Sequence, residues 1–194
     1  ILGAVWVVRM VAQAIYSGKY QGKFTVRGHD EAISALRAIC AVTLPEKVTR
    51  HIDKEIVFTP VVDGEHFSAI GADFTAFDIK STKAKQYGFA MSAPSCESLV
   101  CLGDEPFNEA NRKYAYGAKW LLCEAFCLYS QREHFKPYEK HHSTALDAGR
   151  LAQSLQVQNL VLYHTEDENL DTRANTYAAE AAINFKGNIF VPDD

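Results

Sequence analysis

The stretch "EKHHSTALDAGRLAQSLQVQNLVLYHTEDENL" (Glu139–Leu170) holds three of the seven histidines and reads as a helix followed by a strand. Thr144 is the natural N-cap, and Asp147, three residues on, is a capping-box partner of shorter reach than glutamate. Leu146, Ala148, Leu151, Ala152 and Leu155 fall on one helical face. "NLVLYH" is a short apolar run suited to a strand buried on both sides, and it delivers His164 to the strand end. His142 stands just ahead of the helix, where the dipole favours the neutral ring over the cation. Their placement at a helix start and a strand end would let His142 and His164 face a common pocket, with His141 turned outward; the plain alternative leaves His141 and His142 as exposed loop residues.

Upstream, the same logic finds two more strand ends. "SLVCLGDEP" is a buried strand running into a turn that carries Asp104 and Glu105, and "AKWLLCEAFC" is a strand that delivers Glu124. A carboxylate between Leu122–Cys123 and Ala125–Phe126 needs a specific partner, since burying it unpaired is costly. Between them, Asn108–Gly117 reads as a helix. The region from Lys54 to Met91 is β-rich, with turn signals at Asp63–Gly64 and Gly71–Ala72. "HDEAISALRAICAVTLP" is a helix with Asp30 as its cap and Pro45 as its stop. "ILGAVWVVRMVAQAI" is a further helix. "DTRANTYAAEAAINF" is the last, ended by Gly187 and followed by the strand "NIFVP". The pattern is a β-rich middle flanked by αβ units, which predicts one α+β domain over residues 1–194.

Functional groups in such folds gather where loops converge at strand ends. Taken singly, each candidate also has a plain structural reading. Gly103–Asp104 makes a turn, His164 fits a satisfied strand-end histidine, and Glu124 fits a solvent-facing strand end. The bulk numbers narrow the partners. The chain has 194 residues, 47% apolar and 23% charged, with a net charge of −4, so a nucleic-acid surface built on bulk charge is disfavoured. Its five cysteines have no zinc-ribbon spacing and are odd in number, which fits reduced thiols in the cytoplasm. No run is long and apolar enough to span a bilayer, and Arg9 interrupts the N-terminal apolar stretch.

In order, the features are strand–Gly-Asp, strand–Glu-Ala, His-Ser-Thr–helix and strand–His-Thr. This order resembles the metallo-β-lactamase fold, on the branch that looks like ribonuclease Z. The resemblance implies an αββα sandwich that lacks part of its first half. It implies Asp104 as a metal-bridging carboxylate and His164 as a metal ligand. It implies Glu124 paired with His142, a pair that shuttles a proton to the leaving group. The metal would be zinc or manganese, which lowers the pKa of a bridging water. A carboxylate offers two hard oxygens and a neutral imidazole suits zinc. "ILGAVWVVRM" (Ile1–Met10) resembles the start of the family's helix after its His-x-His-x-Asp-His motif, and that motif would lie ahead of Ile1.

Three departures accompany the resemblance. The His-x-His-x-Asp-His motif does not occur in these residues. The family's mid-chain histidine is replaced within "FDIKSTKAKQYGF" by Lys80, Ser81 or Thr82, and an ammonium at Lys80 would stand in for one metal's charge. The His-Glu-Ala segment reads Cys123-Glu124-Ala125. Two readings follow. One is a metal-dependent hydrolase of a phosphodiester or other ester, acting on a small-molecule or nucleotide-like substrate. The other is a non-catalytic binding or structural protein with a decayed metal site, carrying no metal. Only "FAMSAPSCESLVCL" lies where ribonuclease Z has its RNA-gripping arm, which argues against transfer RNA as substrate. The apolar "ILGAVWVVRM" makes a second copy of the chain a candidate partner.

Overall fold

The computed structural model describes residues 1–168 and 170–192 and falls into two compact units, Ile1–Val62 and Asp63–Asp194. In the first, α1 (Leu2–Tyr16), α2 (Asp30–Thr43) and the one-turn α3 (Glu46–Thr49) accompany two parallel strands, β1 (Phe24–Gly28) and β2 (Ile56–Pro60). The core here is Val8, Ala12, Ile33, Leu36, Cys40, Val48, Ile56 and Phe58. Ile33, Leu36 and Cys40 repeat at helical spacing, so one face of α2 is buried while Glu31, Ser34, Ala38 and Val42 stay exposed. The cap of α2 is His29 rather than Asp30, because the His29 ring accepts the Ala32 N–H at 3.3 Å. Asp30 instead lies in the first turn, where its charge suits the helix dipole.

The second unit is built on a seven-stranded sheet: β3 (His66–Ala69), β4 (Ala72–Asp78), β5 (Tyr87–Ala93), β6 (Glu97–Cys101), β7 (Trp120–Glu124), β8 (Asn159–Tyr163) and β9 (Asn188–Phe190), in that spatial order. From β3 to β6 the pairing is antiparallel, and from β6 to β9 it is parallel. Connection length decides the change. Ile70–Gly71 joins β3 to β4 with positive φ at both residues, the backbone of a tight hairpin turn. The later links must cross over. β6 to β7 passes through a 3₁₀ turn (Glu109–Asn111) and α4 (Arg112–Ala115). β7 to β8 passes through α5 (Arg132–Phe135) and α6 (Ala145–Ser154), and β8 to β9 through α7 (Leu170–Ala181).

The core of this unit includes Phe77, Val100, Leu121, Leu155, Leu160, Leu162 and Tyr177, all within 1% of full burial. The expected α+β composition is present, with four differences in detail. The helix expected at Asn108–Gly117 is a 3₁₀ turn and a single α turn, since Asn111 uses its side chain on the Asp78 carbonyl and Gly117 has φ of 71°. The loop after β7 folds into short turns, two of them 3₁₀ (Tyr129–Gln131 and Tyr138–Lys140). The last helix stops at Ala181, six residues before Gly187. Gly187 instead precedes β9, where a Cβ would run into the Phe185 ring. Parallel strands place their carboxyl ends together, so the segments following β6, β7 and β8 leave the sheet on one side.

Helices α6 and α7 cross at Gly149. A Cβ there would lie 2.9 Å from Ala181 Cα and closer still to its carbonyl oxygen. Gly149→Ala is therefore expected to cost about 1–3 kcal/mol by forcing the helices apart. Urea denaturation checks this, and an unchanged midpoint would refute the close crossing.

Candidate active site

Glu124 is the last residue of β7 and is 1% exposed. Its charge is met in full by neighbours. Oε1 accepts the Ser143 N–H at 2.7 Å and the Ser143 hydroxyl at 2.8 Å, and Oε2 lies 2.6 Å from His142 Nδ1. The segment that supplies these partners is fixed by the cap of α6. The Thr144 hydroxyl and N–H donate to Asp147 Oδ2 at 2.6 and 3.2 Å, and the Asp147 N–H returns to Thr144 Oγ1 at 3.3 Å. Phe126 N–H bonds the Ser143 carbonyl, and Ala145 N–H bonds that of Cys127, tying the same segment to the chain after β7.

The other ring nitrogen of His142 faces Lys83, with Nζ 3.3 Å from Nε2. An ammonium has donors only, so Nε2 must accept from it, and the ring proton then sits on Nδ1 and donates to Glu124. Phe126 stacks on the same ring at 4.9 Å, and the His164 ring lies 5.1 Å away by centroid. His164 follows β8 with φ of 56°, a left-handed backbone unusual for histidine. It is exposed and makes no hydrogen bond among the described residues, only ring contacts. His141 is exposed, also with positive φ.

Glu124, His142 and His164 each bring one ligand atom within 4.8 Å of the others, a partial metal-ligand cluster. Asp104 stands outside that trio. It is half-buried in the segment after β6 and has no hydrogen-bond partner among the described residues. The turn carrying it is pinned by Tyr163, whose hydroxyl donates to the Gly103 carbonyl. Burial, then the neighbouring Cys101, Cys123 and Asp104 groups, push the Tyr163 phenol above its ordinary range, so it remains a donor.

The lysine at the site is Lys83, not Lys80. Lys80 is half-exposed and neutralised, with Nζ 3.2 Å from Asp78 and 3.3 Å from Asp63. Lys83 is held in place through Glu105, which is 6% exposed and accepts the Ser81 hydroxyl at 2.7 Å and the Thr82 N–H at 3.1 Å. Ser81 Oγ in turn accepts the N–H groups of Lys83 and Ala84 at 3.2 and 3.3 Å. Burial opposes the Glu105 charge, but these bonds and the Lys83 and His141 charges outweigh it and hold its carboxyl below the usual range. Sequence reasoning singled out neither Lys83 nor the anchoring role of Glu105. The available signal was Ser-Thr-Lys two strands away from a glutamate that directly follows the Gly-Asp turn.

Beside His142 a cleft of about 300 Å³ is lined by Pro106, Phe107, Tyr138, Ser143 and Leu151, among others. A larger cleft of about 510 Å³ on the β3–β6 face, walled by Tyr114 and Tyr116, contains none of the residues above.

No protein-family model matches the chain, and no curated protein matches it by sequence. Solved structures do match. The metallo-β-lactamase fold protein YhfI from Bacillus subtilis is 16% identical, with a TM-score of 0.76 over 98% of this chain and 70% of that one. Human tRNase Z, short form, is 14% identical with a TM-score of 0.68, covering 100% of this chain and 72% of that one. Yeast PDE1 is 14% identical with a TM-score of 0.62, covering 96% and 62%. The chain has the metallo-β-lactamase fold. No helix among the described residues is long and apolar enough to cross a membrane.

The Glu124–His142 geometry makes a direct prediction. In the double variant Glu124→Gln with Lys83→Met, the ammonium that makes Nε2 an acceptor is gone, the amide oxygen keeps the Ser143 bonds, and the amide NH₂ turns to His142 Nδ1, which leaves the ring proton on Nε2. Nitrogen NMR of His142 should show the Nδ1–H tautomer in the parent chain and Nε2–H in the variant. The same tautomer in both would refute the assigned pairing.

Proposed function

We propose that this chain is a hydrolase acting on a phosphodiester or other ester of a small-molecule or nucleotide-like substrate, with His142 as proton donor to the leaving oxygen. The observation that carries the reading is the 2.6 Å contact between His142 Nδ1 and the buried Glu124 carboxylate. A buried carboxylate on Nδ1 fixes the ring plane and stabilises the imidazolium that forms when Nε2 carries the proton in transit. Nε2 points away from Glu124 and in the resting arrangement accepts from Lys83 at 3.3 Å; once that contact opens and Nε2 is protonated, it hands the proton to the departing alkoxide as the bond to phosphorus or carbon breaks. Phe126, stacked on the ring, keeps water from one face.

A divalent metal, zinc or manganese, is part of this reading. The donor chemistry supports Asp104 and His164 as its holders, a hard carboxylate and an imidazole with no hydrogen bonds of their own among the described residues. Glu124 and His142 are committed to each other and to Ser143, so they do not serve as ligands in this arrangement. When bound, such a metal supplies an activated water and charge stabilisation. The second reading, a binding protein on the same fold, is favoured by one observation. Lys83 brings an ammonium 3.3 Å from His142, and that charge opposes a dication nearby.

Hydrolysis of bis(p-nitrophenyl) phosphate and of p-nitrophenyl esters, with zinc or manganese supplied, tests the proposal. His142→Ala is expected to lower kcat about 10²–10⁴-fold while leaving bound metal unchanged by elemental analysis. Asp104→Ala and His164→Ala are expected to lose both metal and turnover. Full activity in His142→Ala would end the hydrolase reading, and no turnover with less than one metal per chain would favour the binding protein.

A further inference from the structure

The cleft beside His142, about 300 Å³, is apolar along much of its wall. Pro106 and Phe107 come from the segment after β6, and Ala148 and Leu151 from α6. Ala148 is 1% exposed, and Phe107 and Leu151 pack against the core of the unit, so packed side chains back this wall and hold it in place. Roughly 150 Å³ of apolar space suffices for one benzene ring, so the cleft has room for a single ring with a short substituent.

The two acids on the wall are already neutralised. Asp147 Oδ2 accepts the Tyr138 hydroxyl at 2.7 Å and the Thr144 hydroxyl at 2.6 Å, and Oδ1 lies 3.7 Å from Arg150. Glu109 takes Arg112 in a bidentate pair at 2.6 and 2.9 Å. The hydroxyls are committed too. Tyr138 donates to Asp147, and burial together with that bond pushes its phenol up to about 12, so it stays uncharged. Ser143 donates to Glu124. Among the described residues that line the cleft there is no lysine or arginine, and Lys83, which reaches His142 Nε2, is not part of this wall. A charged group of either sign seated here would lose hydration and meet no uncommitted counter-charge, whereas an apolar group only gains by leaving water.

We propose that this cleft receives an uncharged apolar group, aryl or short alkyl, as the part of the ester that departs, with Phe107 and Leu151 as the residues that set the preference. This deepens the hydrolase reading by naming its substrate class, and it rests on that reading for the chemical step. In that step water adds to phosphorus or to the acyl carbon. The bond to the leaving oxygen breaks with its electron pair going to that oxygen, and the His142 proton follows it. The alcohol is then released neutral, which is the form the wall accommodates. His142 lines the same cleft, so proton donor and departing group are held side by side. A leaving group that carries its own phosphate or carboxylate is rejected by the same wall.

The probes are p-cresol and p-hydroxybenzoate, one ring each, the second carrying a carboxylate at neutral pH. Each is titrated into the full chain and followed by NMR. p-Cresol is expected to bind with an affinity on the order of millimolar, with shifts at Phe107, Leu151 and His142, and p-hydroxybenzoate to bind about tenfold more weakly or worse. Leu151→Glu is expected to weaken p-cresol binding about tenfold, and Leu151→Met, which conserves volume, to retain it. If circular dichroism shows Leu151→Glu unfolded, the two probes on the parent chain decide. Turnover is read on methyl p-tolyl and methyl p-carboxyphenyl phosphate and on the corresponding acetates, with zinc or manganese supplied, and kcat/KM is expected to be about tenfold or more higher for the p-tolyl esters. No p-cresol shift at these residues, equal or tighter p-hydroxybenzoate binding there, or equal p-cresol binding by Leu151→Glu and Leu151→Met would overturn the assignment of the cleft. p-Cresol seated in the cleft of a chain that hydrolyses none of the esters would keep the cleft and remove the hydrolase reading. Turnover of both esters at equal kcat/KM, with p-cresol unbound, would remove the assignment of the cleft alone.

Discussion

A single buried negative charge organises this end of the molecule. Glu124 sits at the end of a central strand among apolar neighbours and is 1% exposed, so its carboxylate must be met by donors inside the protein. Ser143 gives two of them and His142 the third. Those donors are present only because the chain before α6 returns to the end of β7, and the Thr144–Asp147 cap holds it there. Remove the carboxylate and the backbone N–H of Ser143 loses its acceptor while His142 loses its orientation. The same requirement that makes Glu124 expensive to bury makes the imidazole beside it well defined.

The sheet explains why the chemistry collects where it does. Pairing changes from antiparallel to parallel at β6, and from there the carboxyl ends of β6, β7 and β8 share one edge. Asp104, Glu124 and His164 each follow or end one of those strands. Register puts Glu124 opposite Tyr163, the residue before His164, so the two site residues are neighbours by construction of the ladder. Tyr163 also pins the Gly-Asp turn through the Gly103 carbonyl, which links the third strand end to the second. The antiparallel half contributes through one loop, the Ser81–Lys83 turn between β4 and β5, held by Glu105.

Electrostatically the site is a balance between committed and uncommitted groups. Glu124, Glu105 and one side of His142 are fully bonded, whereas Asp104, His164 and Lys83 retain donors or acceptors for something outside the described protein. Committed groups set geometry, since moving them costs buried hydrogen bonds. Uncommitted groups set what binds. A carboxylate and an imidazole favour a cation, and the ammonium of Lys83 favours an anion.

The sequence by itself determined the local features. Thr144 and Asp147 announce the α6 cap, apolar runs announce β7 and β8, and the acid inside "WLLCEAFC" announces a buried charge needing a partner, because caps, periodicity and burial act over a few residues. The order of these features also carried the resemblance to the metallo-β-lactamase fold. Tertiary structure alone decided the rest. It chose His29 over Asp30 as the α2 cap, kept Asp104 out of the three-residue cluster and spent Lys80 on Asp63 and Asp78. It brought Lys83 to His142 across 59 residues of chain. A lysine three positions from another has the same local sequence signature. Which one reaches the imidazole depends on how a turn anchored by Glu105 directs it, and that contact is long-range.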